Sequence, residues 1–201
     1  MSKLFCVMGK SASGKDSLFK MLVEDTSLGL HTVVPYTTRP IRAGETDGVE
    51  YHFVDEAAYQ ALKVAGKIIE ARAYQTIHGL WRYFTADDGQ IDPEDGNYIV
   101  IGTLEAYRQM LEYFGPEVMV PVYVEVEDGL RLSRALCRER AQDQPKYAEM
   151  CRRFLADCED FSDEKIKDCY ITKRYVNIDL EQCFREIKKD IKDILITVRP
   201  I

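Results

Sequence analysis

The run Gly9–Lys10–Ser11–Ala12–Ser13–Gly14–Lys15 lies directly behind the apolar stretch Leu4–Phe5–Cys6–Val7–Met8. Two glycines separated by four residues, then a lysine, is the spacing of a phosphate-binding loop. In such a loop successive backbone N–H groups and the following helix N-terminus surround a β-phosphate, and the lysine reaches the β/γ-phosphates. Gly9 and Gly14 allow the tight turn and the close backbone approach. The plain alternative is a chance glycine-rich turn. One position departs from the pattern, because Asp16 stands where a hydroxyl facing magnesium is expected. A carboxylate about 4 Å from a phosphate charge costs roughly 4 kcal/mol at an effective dielectric of 20. A magnesium ion between them turns that repulsion into shared coordination, since both are hard oxygen ligands. Asp16 is therefore a candidate metal ligand, directly or through water. Ser17 cannot replace it, because one step along a helix turns the side chain by about 100°.

A second group of residues could grip an anion. Thr37 and Thr38 precede Arg39 and Arg42, and Tyr51 follows Gly44, Glu45 and Gly48. Two guanidinium groups and a phenol can converge on one phosphate monoester; a solvated basic turn is the bland alternative. A third cluster spans Arg131 to Arg153, with seven basic and three acidic residues in a chain whose net charge is −7. Arg131, Arg134 and Arg138 share one helical face, which is mildly destabilising unless an anion occupies it. A solvated face competes with that reading too.

Taken together, Thr37–Thr38–Arg39, Arg42, Gly44–Glu45, Gly48, Tyr51 and Phe53, at this offset from the phosphate loop, resemble the GMP-binding segment of the guanylate kinase family. The resemblance implies transfer of the γ-phosphoryl group of ATP to GMP, with Mg2+, and it implies a homodimer. It assigns the ATP cradle to Gly9, Lys10, Ser11, Ala12, Ser13, Gly14, Lys15, Asp16 and Ser17, and sets Asn177 near the adenine. Thr38, Arg39, Arg42, Tyr51 and Tyr83 fall to the GMP phosphate side. Glu70 would accept the N1–H and N2–H donors of guanine, with Thr85 as a small hydroxyl near the base. Lys15, Arg42 and two lid arginines, Arg138 and Arg153, would act on the transferring group, while Arg134, Arg140 and Arg152 stay in play. Three departures accompany the match. Pro35 replaces a serine that contacts guanine, Ile99–Val100–Ile101–Gly102–Thr103 lacks acidic residues usual there, and the stretch from Glu70 to Tyr83 is long. Phosphorylation of another nucleoside or deoxynucleoside monophosphate is the second reading. A catalytically silent module that binds protein partners is the third, against which Lys15 and the lid arginines speak.

These groups need a scaffold to hold them. Residues 3–8 read as a buried strand, followed by a helix bearing Leu18, Met21 and Leu22 at i, i+3, i+4. A second strand, 97–101, leads to a helix with Leu104, Tyr107, Leu111 and Phe114 on one face, ending at Gly115–Pro116. A third strand near 118–126 precedes the basic helix. The last helix has Asp179 as cap with Gln182 three residues on, and a stripe of Phe184, Ile187, Ile191 and Ile194. Alternating strands and helices imply an α/β fold with a parallel sheet covered on both faces. With the resemblance, this becomes a P-loop NTPase-type sheet flanked by helices, in one domain. Its core is 1–34, 89–138 and 150–201, with an inserted monophosphate-binding lobe at 35–88 and a lid at 139–149. Strand-like pieces in the lobe are Tyr51–Val54 and Trp81–Phe84.

Bulk properties set the outer limits. A chain of 201 residues suits one domain with a substantial core. The acidic balance argues against a dedicated nucleic-acid surface. No apolar run reaches the roughly 18 residues of a membrane span. Six cysteines without Cys-x-x-Cys spacing read as reduced thiols, and the expected location is cytoplasmic. His31, His52 and His78 are scattered and lack metal-ligand spacing.

Overall fold

Five consecutive buried residues, Leu4–Met8, form β1 at the centre of a five-stranded parallel sheet. An unbroken apolar run is what a strand covered on both faces requires. The computed structural model describes residues 2–76, 79–92 and 94–197, so His78 lies outside the described residues. Helix α1 (Lys15–Glu24) follows the loop, then β2 (Leu30–Thr32). The chain next enters a smaller sheet made of β3 (Tyr36–Thr37), β4 (His52–Phe53), β5 (Ile68–Thr76) and β6 (Gly79–Ala86), with helix α2 (Glu56–Val64) packed on it. It returns through β7 (Asn97–Ile101), α3 (Leu104–Phe114) and β8 (Met119–Glu125). Helices α4 (Asp128–Arg140), α5 (Tyr147–Asp160) and α6 (Asp163–Asp168) precede β9 (Arg174–Val176) and α7 (Leu180–Thr197).

The large sheet runs β2-β7-β1-β8-β9. Side chains alternate across a strand, so β1 feeds two cores. Phe5 and Val7 join Leu18, Leu22, Ile187 and Ile191 under α1 and α7. Leu4, Cys6 and Met8 join Leu104, Tyr107, Met110 and Ile166 under α3 and α6. Burial pushes the Cys6 thiol up to about 12, so it behaves as a small hydrophobe. The expected cap is present, since Asp179 Oδ1 accepts from Gln182 N at 2.7 Å, and Thr103 caps α3, its Oγ1 accepting from Ala106 N at 3.2 Å.

The small sheet runs β4-β3-β6-β5, with β3–β4 parallel and the other pairs antiparallel. Its compact core is Tyr59, Phe84 and Ala86, with Tyr36, Leu62 and Ile68 against them. Strand β5 is an edge, and edges left open invite unwanted pairing. Here Gln109 of α3 covers it: Ala71 N donates to Gln109 Oε1 at 3.0 Å and Gln109 Nε2 donates to Ala71 O at 3.2 Å. That amide clasp joins the two sheets. Residues 139–149 contain only a short turn, at 141–146, between α4 and α5.

Candidate functional site

The loop after β1 has the shape its glycines predict. A Cβ on Gly9 would meet Val124 O at 2.4 Å, and one on Gly14, whose φ is 85°, would meet Asn177 Nδ2 at 2.3 Å. Neither position admits another residue without displacing backbone or the buried Asn177. Ala12 also sits in the left-handed region, at φ 63°. The first turn of α1 has no side-chain cap, so its N–H groups stay available to an anion. Ser13 is 1% exposed and its Oγ has no partner among the described residues, a buried hydroxyl facing into the same cradle region. Lys15 Nζ lies 3.3 Å from Asp16 Oδ2, and the Asp16 side chain is largely exposed. Asn177 is 2% exposed and its Nδ2 donates to Ser13 O at 2.8 Å. Its visible task is thus to hold the loop.

Helices α4 and α5 close over this loop. Arg131 is among the largest fully buried side chains, at 1% exposure. It pairs with Asp128 and Asp157, donates to Ser11 O at 3.4 Å and lies 3.9 Å over the Phe154 ring. Asp157 also accepts from Ser11 N at 2.8 Å. Arg134 donates to the carbonyls of Asn177 and Ile178 at 3.0 and 3.1 Å. Arg131 and Arg134 are therefore structural anchors, which corrects the expectation of one anion-binding row. Arg152 pairs with Glu149 at 2.8 Å. Arg138 and Arg153, the latter 3.9 Å from Glu149, line one narrow cleft beside the loop together with Ser11 and Arg131.

In the small sheet, Arg39 is 4% exposed and forked onto Glu45 at 2.7 and 2.5 Å. Its guanidinium lies 5.1 Å over Tyr51, whose ring meets Tyr83 edge-on at 5.7 Å. Burial, then Tyr83, raises the Tyr51 phenol. The Glu45 carboxyl is drawn down to about 2, chiefly by its hydrogen bond from Arg39. Arg42 is exposed, and its N–H donates to Glu45 Oε2 at 2.8 Å. Thr38 Oγ1 accepts from Arg82 N.

The β5–β6 register sets Glu70 opposite Thr85 and Arg72 opposite Tyr83. The extra length between Glu70 and Tyr83 is taken up along the hairpin. Thr85 Oγ1 donates to Glu70 Oε1 at 3.1 Å, and Glu70 is 1% exposed. Opposed residues share a face, so Arg39, Tyr51, Tyr83, Arg72, Glu70 and Thr85 form one continuous row. Arg72 and Glu45 were not assigned from the sequence. The signal for Arg72 was present, since opposite charges two apart on a strand lie side by side.

A guanylate kinase family model matches residues 1–79. The guanylate kinase of Bordetella pertussis is 31% identical over 161 residues, covering 76% of this chain and 67% of that one. The chain belongs to the guanylate kinase family. The guanylate kinase of Symbiobacterium thermophilum is 28% identical over 186 residues, covering 92% of this chain and 82% of that protein. The match to that of Chromohalobacter salexigens is higher, at 40%, but it spans 39% of this chain and only 37% of that relative's length. The fold is shared with the crystal structure of guanylate kinase from Anaplasma phagocytophilum, at a TM-score of 0.62 and 20% identity over 96% of this chain and 85% of that one. Among the described residues no group of three or more His, Cys, Asp or Glu could hold a metal, and no helix is long and apolar enough to cross a membrane.

Proposed function

We propose that this family member transfers the γ-phosphoryl group of ATP to GMP, giving ADP and GDP. The observation that carries this reading is the row on the small sheet, with an arginine and two phenols at one end and a buried carboxylate–hydroxyl pair at the other. That is a monophosphate grip and a base reader in sequence along one surface. The loop between β1 and α1 supplies the second grip, for the triphosphate. A GMP phosphate oxygen attacks the γ-phosphorus in line, the bond to the β–γ bridging oxygen breaks, and ADP leaves. Protein groups align the two nucleotides and offset the charge on the transferring group. Lys15, Arg42, Arg138 and Arg153 are the proposed charge-stabilising set. Residues 139–149, as a lid, would exclude water and so prevent hydrolysis of ATP.

Mg2+ fits the cradle as far as Asp16 is concerned. One exposed carboxylate at the loop's end, with phosphate oxygens and waters completing the shell, is a usual environment for this ion. It would supply charge neutralisation between the phosphates. A cytoplasmic location and a homodimer belong to the same proposal.

A coupled assay of ADP release across GMP, dGMP, AMP, CMP, UMP and dTMP tests the reading, with GMP expected as the best acceptor. A preference for another acceptor would favour the second kinase reading. No turnover with any acceptor would leave the silent module.

A further inference from the structure

The carboxylate that would read the base is already engaged. Glu70 accepts from Arg72 Nε at 3.0 Å on Oε2, and on Oε1 from Arg72 Nη2 at 3.3 Å and Thr85 Oγ1 at 3.1 Å. An ionised carboxylate offers about four lone-pair sites, so roughly one is left, on Oε2. It cannot take both N1–H and N2–H of a guanine without giving up a partner. The guanidinium is in the opposite position. Three of its five N–H groups are placed, two on Glu70 and one on Thr103 Oγ1 at 3.2 Å, which leaves two, one of them beside the Tyr74 hydroxyl that a base would displace. Thr103 is itself fixed as the N-cap of α3, so the fork cannot swing freely. Burial disfavours the Arg72 charge, but Glu70 beside it outweighs that and raises its pKa, so the fork stays charged.

Tyr74 and Thr103 border the guanidinium, and a cavity of about 400 Å3 lies beyond them, lined by neither Glu70 nor Arg72. Pro35 has no hydroxyl to offer a base, and its carbonyl accepts from His52 N at 2.9 Å.

We infer that Arg72 is a specificity-determining residue of the acceptor site, donating to O6 and N7 of a 6-oxopurine while Glu70 takes N1–H alone. The inference rests on the GMP-acceptor reading of the small sheet. An arginine fork on O6 and N7 is a favourable geometry for guanine, whereas adenine sets its N6 donor against it. The 2-amino group finds no place in this scheme. Hypoxanthine, which keeps N1–H, O6 and N7, should then be accepted nearly as well as guanine.

Calorimetric binding of monophosphates to the full chain, with a non-hydrolysable ATP analogue present, tests this without relying on turnover. Wild type should bind IMP within about 10-fold of GMP, since a group the site does not use costs little when removed, and should bind 7-deaza-GMP at least about 10-fold more weakly. Arg72→Lys keeps a charge for Glu70 and loses the fork. It should weaken GMP by about 10- to 100-fold, the value of a bidentate base contact, and leave affinity for the ATP analogue unchanged. Tight 7-deaza-GMP binding with IMP rejected would overturn the assignment on wild type alone, even if the variant failed to fold. So would an Arg72→Lys protein that binds GMP as wild type does. A wild-type chain that binds the ATP analogue but no purine monophosphate would instead remove the acceptor reading itself.

Discussion

Asp16 concentrates the physics of this site in one side chain. With its carboxylate 3.3 Å from the Lys15 ammonium, it competes with phosphate for that lysine and repels the phosphate as well. Without a divalent ion both effects oppose ATP. With the ion, the carboxylate becomes an additional ligand. Asp16→Ala should therefore bind ATP more tightly than wild type in EDTA and more weakly in magnesium, by several-fold each way; a variant with no gain in EDTA would dispose of the repulsion argument. Glu45 makes a comparable prediction for stability. Its carboxyl is held at about 2 in the folded chain, from a starting value of 4.5. A depressed acid stabilises the fold above its unfolded pKa and loses that contribution as pH falls toward the folded one. Thermal melting of wild type should thus lose ground to Glu45→Gln between about pH 5 and 2, and equal slopes for the two would contradict the pairing. At this scale the motif residues were legible because each carries its own chemistry. Glu45 carried no role of its own, and Arg72 was passed over despite its spacing from Glu70, because their importance lies in whom they pair with across a turn or along a strand.

At the scale of elements, the α4–α5 pair divides its arginines by depth. Arg131 and Arg134 point inward to Asp157 and to the carbonyls before α7, and so lock the helices to the loop. Arg138, about three turns from the helix start, and Arg153 on the facing helix reach the cleft at Ser11. In the proposed transfer it is the second pair, not held in the buried ion pairs of Arg131, that follows charge as it develops on the transferring group. Arg138→Ala should lower kcat by about 100-fold or more, as loss of a transition-state donor does, with GMP KM changed by no more than a few-fold. A steady-state profile with kcat intact would remove Arg138 from the charge-stabilising set. Periodicity identified the strands and helices around β1, since each has a face to bury. It passed over α5 and β5, whose polar residues are satisfied by neighbours far along the chain: Asp157 by the loop, Ala71 by Gln109. Helical spacing did place three arginines on one face, but it could not say that the first of them is buried.

The molecule as a whole carries the two proposed grips on two sheets, tied in part by the Gln109 clasp and the Arg72–Thr103 bond. The alternating order of strands and helices made the large sheet legible, and the break in that order marked the inserted one. Their joint was not legible, because its polar ties include side-chain contacts between residues 31 and 38 positions apart. If the grips face each other, one ligand spanning both should bind far better than either half. Joining adenosine and guanosine through a chain of five phosphates makes the second engagement intramolecular, which adds about 100-fold or more when the linker fits the gap. Such a compound should bind at least that much more tightly than ATP or GMP alone and raise the melting temperature accordingly. In Lys15→Ala it should fall back toward GMP, and in Arg39→Ala toward ATP, because each variant disables one grip and leaves the other. Affinity no better than ATP in wild type would mean that the two surfaces do not address one space, and phosphoryl transfer between them would then have no geometry to occur in.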